Sequence, residues 1–313
     1  MKLVINIPCL NEEETLPLVL DALPKEVKGI TSIEVQIVDD GSTDNTCQVA
    51  ESYGCRIISH RRNRGLGFAF KSGMYAALES GADIMVNIDA DNQYPPQDIP
   101  RLIEPILESK ADIVVGDRCP WKIKHFSPAK RCLQYFGNYL TRRIADSPVR
   151  DMVSGFRAYS RESLYLLNVT TKFSYVLDTI VQASKKGLNV MSVPIDVNPP
   201  TRQSRLFRNS FEHVRKSALS ILRLYLIYEP YKTFSLLAFL LATPSVALVA
   251  RFLFFYFSGG GAGHIQSLII SAIFMMLSGS AFVIGVVAGL IGINRVLTEE
   301  QLYWIKRQAG RAE

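Results

Sequence analysis

Three observations predict an α/β class with a mostly parallel sheet. From about residue 2 to residue 116, short β-branched runs alternate with amphipathic helical patterns at βαβ spacing. Acidic and Gly-containing turns recur at the carboxyl ends of those runs, where such sheets bind ligands. Beyond residue 230 the pattern gives way to two long apolar runs, which add a membrane segment to the α/β domain.

The expected strands are 3–7, 33–38, 55–59, 84–88 and 113–116, with helices near 13–23, 43–53, 67–80 and 98–108. The N-terminal "MKLVINIPCLNEEE" runs from apolar residues into acids without a small-residue cleavage site, so it reads as a first strand and not a signal peptide. Residues 118–150, basic and aromatic with Pro120 and Pro128, read as a long loop plus a helix. A last αβ unit follows at 176–186 and 190–197, ending in "NPPTRQSRLFRN". Segment 211–230 mixes cations with Leu, Ile and Tyr at helical spacing and reads as a helix in the membrane interface.

Residues 233–257 are apolar but for Arg251, and 265–293 carry no charge. Both exceed the roughly 20 residues that span a bilayer. The short "SGGGAGH" connector predicts a hairpin, and Arg251 snorkels to the interface or pairs within an oligomer, its place near the connector favouring the first. Arg215, Lys216, Arg223 and Lys232 precede the spans, and Arg295, Lys306, Arg307 and Arg311 follow them. The positive-inside rule then puts both termini and the α/β domain in the cytoplasm. The expected organisation is an α/β domain over 1–210, an interfacial helix over 211–231, two spans over 232–295 and a tail helix over 296–313. That tail folds back on the domain or pairs with a second subunit.

The formal net charge of +6 is unevenly spread. Residues 1–117 carry 19 acids and 10 bases, whereas 118–150 carry eight bases and one acid, and 201–232 seven and two. This polarity suits a metal-requiring site beside an anionic partner or membrane, and argues against a nucleic-acid face. The five cysteines are odd in number and form no CxxC pair, as for scattered thiols in a reducing compartment.

Four motifs sit at expected strand ends. In "IVDDGSTDNT" the strand ends at Asp39 and Asp40. An acid there accepts hydrogen bonds from a nucleotide base or ribose, or else caps the next helix. In "IPCLNEEE" Pro8 turns the chain and Glu12 faces the crevice, or the acids simply favour a helix start. "RNRGLGFAF" holds Gly65 and Gly67, but the third glycine of a dinucleotide fingerprint falls on Phe70, so the turn serves helix packing. In "VNIDADNQYPPQDI" Asp89 and Asp91 share one face of a strand end. Mg²⁺ takes few protein carboxylates and completes its octahedron with phosphate oxygens and water. Asp91 and the Gln93 carbonyl would hold such an ion under a diphosphate, with Asp89 on ribose or a metal-bound water.

Together "IPCLNEEE", "VDDGSTDNT", "NRGLGFAFKSGM", "DADNQYPPQDI", "GDR" and "DMVSGFRAYS" resemble the successive motifs of glycosyltransferase family two, with its Rossmann-like GT-A fold. Their order and spacing look most like the polyprenyl-phosphate glycosyltransferases, and the two-span tail is similar to that of bacterial and archaeal members of a plasma membrane. The resemblance implies that Pro8, Glu12 and Asp39, with Leu10 and Asn11 in the same turn, line the nucleotide. Asp89, Ala90 and Asp91 would bind sugar nucleotide and metal (Mg²⁺ or Mn²⁺), and Gln93 would complete the metal shell. Arg118, Arg131 and Arg202 would engage donor and acceptor phosphates, and Ser154 and Arg157 would shape the acceptor side. On this reading the catalytic group is Asp89, Asp91, Arg118 and Arg131.

Leu10 stands where the family usually has an aromatic residue, and Asp178 where relatives often carry Glu. The QxxRW motif of processive synthases is absent. The implied reaction is an inverting transfer of one sugar from a UDP- or GDP-sugar to undecaprenyl or dolichyl phosphate. One alternative is transfer to a lipid-linked saccharide hydroxyl, with Asp151 or Asp178 as base. Another is a silent membrane adaptor that binds nucleotide sugar. A homo-oligomer is compatible with each.

Overall fold

Strand–helix alternation continues to Asp117 as the hydrophobic pattern requires. The computed structural model describes residues 1–118, 149, 151–170, 175–199, 219, 222–223, 225–259 and 264–309. The strands are β1 Lys2–Cys9, β2 Ser32–Asp39, β3 Arg56–Ser59, β4 Ile84–Asn87, β5 Ile113–Asp117, β6 Arg157–Ser160 and β7 Val190–Pro194. Between them lie α1 Leu16–Asp21, α2 Thr46–Ser52, α3 Leu66–Glu79, α4 Ile99–Leu107, α5 Arg161–Leu166 and α6 Tyr175–Lys185. They form one seven-stranded sheet in the order β3-β2-β1-β4-β6-β5-β7.

Only β6 runs against its neighbours; the other recorded pairings are parallel. Crossover helices cover both faces of a parallel sheet, which explains why every residue of β1 after Lys2 is buried. Leu3, Ile5, Ile7 and Val86 join Leu16, Val19, Leu102 and Ile103 in the largest apolar cluster. The sequence reading missed β6. Its four residues, Arg-Ala-Tyr-Ser, have no strong strand pattern, and pairing with β4 and β5 makes them a strand.

Residues divide into two compact units, Met1–Ser220 with Gln301–Glu313, and Ile221–Glu300. The second unit holds α7 Pro230–Phe257 and most of α8 Ile265–Ala309, both long and apolar enough to cross a membrane. Phe239, Phe257, Met276 and Leu290 are more than half exposed along them, a surface suited to lipid. Instead of a separate tail helix, α8 continues unbroken to Ala309. Within the first unit its last turns meet α5: Tyr303 Oη donates to Glu162 Oε1 at 2.8 Å. The expected interfacial helix lies largely outside the described residues, of which 219, 222–223 and 225–228 are helical.

Candidate active site

A row of polar side chains crosses the otherwise apolar sheet just below its carboxyl edge. Gln36, Asn6, Asn87 and Arg157 occupy one rung of β2, β1, β4 and β6, and all are fully buried. Gln36 Nε2 donates to Asn6 Oδ1 at 2.8 Å, and Asn6 Nδ2 to Asn87 Oδ1 at 2.7 Å. Asn87 Nδ2 donates in turn to Tyr175 Oη at 2.8 Å and to the Gly155 carbonyl at 3.2 Å. A buried network of this kind holds its members rigidly because each lost bond leaves a desolvated group behind. Gly73 makes room for it: a Cβ there would lie 2.0 Å from Asn6 Oδ1. Phe70, where the dinucleotide fingerprint would need glycine, stacks on Tyr175 with ring centroids 4.1 Å apart.

Two residues beyond the rung, Pro8 on β1 and Asp89 after β4 reach the sheet edge, and Asp39 ends β2 opposite Cys9. Asp39 Oδ1 accepts from Ser42 N at 3.0 Å, so the turn reading holds for that oxygen. Asp40 is structural. Its carboxylate accepts from His60 Nδ1 at 2.7 Å, Arg64 N at 2.9 Å and Gly65 N at 2.7 Å, which fixes the loop before α3. Asn11, at φ +57°, ties its turn to the next one: its amide donates to Ser42 Oγ at 2.9 Å, and its Oδ1 accepts from Thr43 N at 2.8 Å. Glu12 N donates to Thr46 Oγ1 at 2.9 Å, and the Glu12 carboxylate accepts from Thr15 Oγ1 at 2.7 Å. Leu10, Asn11 and Glu12 are half-buried along this edge, whereas Pro8 and Ala90 are buried.

The Asp89 carboxylate rests on the backbone of Gly155, where a Cβ would come within 2.7 Å of Oδ2. That peptide is held on both sides, its carbonyl by Asn87 and its amide donating to Tyr94 Oη at 3.2 Å. Asp89 is half-buried, with its carboxyl group against the Gly155 backbone. Burial pushes it up to about 7; Asp91 adds to the rise, while Arg118 and Arg157 oppose it. Asp91 Oδ1 accepts from Gln93 N at 3.1 Å across its own turn.

Arg118 Nε and Nη2 donate to the two oxygens of the fully buried Asp151 at 2.7 and 3.0 Å. Arg157, expected to shape the acceptor side, has no exposed surface and holds the backbone around it. Its guanidinium donates to the carbonyls of Met152, Ser154 and Val176 and to Thr179 Oγ1. It thereby joins the Gly155 loop to α6. Ser154 is buried, with no hydrogen-bond partner for Oγ among the described residues. Arg131 and Arg202 lie outside the described residues.

Sequence reasoning passed over Asn6, Asn87, Gly155 and Tyr175. A signal existed for the first two, since "VINIP" and "MVNID" each place Asn inside an apolar strand two residues before a site residue.

The family described as Glycosyl transferase family 2 matches residues 4–167. The chain belongs to that family. It is therefore a glycosyltransferase, with the GT-A-type sheet expected above, and the silent-adaptor reading falls. The chain is similar to the UDP-N-acetylglucosamine–dolichyl-phosphate N-acetylglucosaminyltransferase of Methanococcus voltae, 30% identical over 60% of this chain and 82% of that one. It is also similar to the dolichol-phosphate mannosyltransferase of Pyrococcus furiosus, 34% identical over 69% of this chain and 62% of the other. Among solved structures it resembles glucosyl-3-phosphoglycerate synthase from Mycobacterium tuberculosis, in complex with Mn²⁺, UDP-glucose and phosphoglyceric acid. That likeness has a TM-score of 0.55 and 22% identity, over 72% of this chain and 78% of the other, and speaks for the fold alone.

Among the described residues no three His, Cys, Asp or Glu side chains group as a metal cage. The donor set still fits a hard divalent cation. Asp89 and Asp91 are two neighbouring acids whose repulsion a cation relieves, Gln93 adds a neutral oxygen, and the remaining positions suit phosphate oxygens and water.

Proposed function

We propose that this glycosyltransferase moves a single sugar, with inversion, from a nucleotide diphosphosugar to a polyprenyl phosphate at the cytoplasmic face of a membrane. The observation that carries this reading is the Asp89 carboxylate packed on Gly155 beside Asp91, at the sheet edge shared with Asp39. The names of the curated relatives support the acceptor class, and the two apolar helices support the membrane.

Asp39 and Glu12 line the nucleotide, and Asp89 orients the donor. Asp91 and Gln93 would hold Mg²⁺ or Mn²⁺, which when bound stabilises negative charge on the departing diphosphate. A phosphate acceptor needs no general base, because its second ionisation lies near pH 6 and it arrives as an oxyanion. The pairing of Asp151 takes away one of the two candidate bases for a saccharide hydroxyl: both its oxygens are taken by Arg118, and it has no exposed surface from which to receive a proton. Basic residues of 118–150 and of "PPTRQSRLFR", Arg131 and Arg202 among them, supply cations for two phosphate groups that repel each other. In a single displacement an α-linked donor yields a β-linked lipid phosphate sugar.

The test is a screen of labelled UDP- and GDP-sugars against polyprenyl phosphate and lipid-linked saccharide, with and without chelator. Transfer to polyprenyl phosphate alone, lost with chelator, is expected. Transfer only to the saccharide would overturn the acceptor assignment. Asp91→Asn is expected to lower transfer at least a hundredfold while the protein stays folded and membrane-bound, and full activity of that variant in Mg²⁺ would refute the site.

A further inference from the structure

The turn that carries Asp91 is held from outside by one residue far along the chain. Asn92 adopts φ +57°, a left-handed conformation that Asn tolerates better than most residues. Within the turn, Gln93 N donates to Asp91 Oδ1. Further bonds come from Asn198, in the segment after β7. Its backbone N–H donates to the Gln93 carbonyl at 2.9 Å. Its side-chain Nδ2 donates to the Asn92 carbonyl at 3.0 Å, with Asn92 Oδ1 at 3.4 Å. Val197 and Pro199 on either side are exposed, whereas Asn198 turns inward. Two residues earlier, Asp196 N donates to Asp98 Oδ2 at 3.0 Å, so the segment is fastened to the far end of the same connection as well.

We propose that Asn198 is a positioning residue for the divalent-cation site. It holds the carbonyls of Asn92 and Gln93, and through them the Asp91 carboxylate and the Gln93 side chain that face the cation. This rests on the assignment of Asp91 and Gln93 as cation ligands. The physical reason is pre-organisation. A cation bound by few protein oxygens gains affinity when those oxygens are already in place, and the Asn198 bonds fix the turn that carries them.

Two substitutions separate positioning from charge. The backbone N–H bond to Gln93 survives in both. Asn198→Ala removes the side-chain donor, and Asn198→Asp also removes it while adding an anion near the site. The full chain in detergent is titrated with Mn²⁺ in the presence of UDP or GDP, with free Mn²⁺ followed by electron paramagnetic resonance, alongside the Mn²⁺ dependence of transfer. Asn198→Ala is expected to raise the half-saturating Mn²⁺ concentration about tenfold, the scale of one or two lost hydrogen bonds. Its kcat at saturating Mn²⁺ should stay within about threefold. Asn198→Asp should also weaken binding.

Tighter binding in Asn198→Asp, or an unchanged titration in Asn198→Ala, would overturn the proposal. If Asn198→Ala is not monodisperse, the Asp variant carries the same test. Were wild-type protein to bind no Mn²⁺ and transfer sugar in chelator, the ligand assignment itself would fail, an outcome distinct from a wild type that binds Mn²⁺ and a variant that matches it.

Discussion

Asp89 occupies a position where a carboxylate is hard to keep charged. With its folded pKa raised to about 7, against about 3.9 in an unfolded chain, the native state holds a proton that the unfolded state has lost across that interval. The stability linked to this proton is fully present below about pH 4 and is lost as pH rises through about 7. Asp89→Asn keeps the shape without the charge. In metal-free buffer, wild type and Asp89→Asn should therefore melt at similar temperatures near pH 4, where the folded carboxyl is protonated and little of the linked stability is lost. By pH 8 the variant should melt higher by a few degrees, although it transfers no sugar. A melting-temperature gap that does not grow between pH 4 and 8 would contradict the raised pKa of this carboxyl. Gly155 makes the same point sterically, since any side chain there would displace the Asp89 oxygens.

At the scale of elements, α7 and α8 show how two helices associate where apolar burial provides no driving force between them. Their seam is small and polar. Ser245 Oγ lies 2.9 Å from both the Ser271 carbonyl and Ser271 Oγ, and Ser271 Oγ donates to the Ser245 carbonyl at 3.0 Å. Ser278 Oγ donates to the Ala238 carbonyl at 2.8 Å, and a Cβ at Gly285 would lie 2.8 Å from Phe234 Cβ. Ser271, Ser278 and Gly285 recur at seven-residue spacing, so one stripe of α8 stays against α7. Ser271→Ala should destabilise the hairpin by about 1 kcal/mol, the scale of interhelical hydrogen bonds in membranes. Thermal unfolding in micelles would show it as a small drop, and a larger one for Gly285→Leu, which forces the backbones apart.

At the scale of the whole molecule, the end of α8 belongs to the first unit. Lys306 Nζ donates to the Leu167 carbonyl at 2.8 Å and to Asn168 Oδ1 at 2.9 Å, with the Tyr165 carbonyl at 3.3 Å. Tyr165 lies in the last turn of α5 and Leu167 just after it, where helix carbonyls lack intrahelical partners, and Asn168 contributes its side chain. Asn168 and Gln182 exchange two hydrogen bonds of 2.8 Å, which continues the connection to α6, the helix that holds Arg157 and Tyr175. Lys306→Ala should cost about 2 kcal/mol, as for hydrogen bonds to a charged group, and expose the tail to protease. Limited proteolysis of the full chain measures the exposure; a tail as resistant as in wild type would argue that the contact contributes little.

Six strands, all but β6, with the helices between them and the two apolar runs were legible because each follows from side-chain periodicity, which is local. Asp89, Asp91 and Asp39 were legible for a related reason: in a parallel sheet the carboxyl ends of strands share one edge, so acids at those ends converge. What the sequence alone determined was thus the α/β class, the apolar hairpin and the chemical character of the site. Tertiary structure decided which polar residues are committed to the fold. Asp40 and Asp39 are neighbours with the same chemistry, yet only packing against the loop before α3 commits Asp40 to holding that loop. Arg157 reads only as a shaper of the acceptor side, and it takes β6 between β4 and β5 to bury it and turn its guanidinium onto backbone carbonyls. The dependence of Asp89 on Gly155 and of the Asp91 turn on Asn198 joins residues 66 and about 107 positions apart. Such pairs are set by the meeting of strands and loops in space, and no local pattern in the chain encodes them.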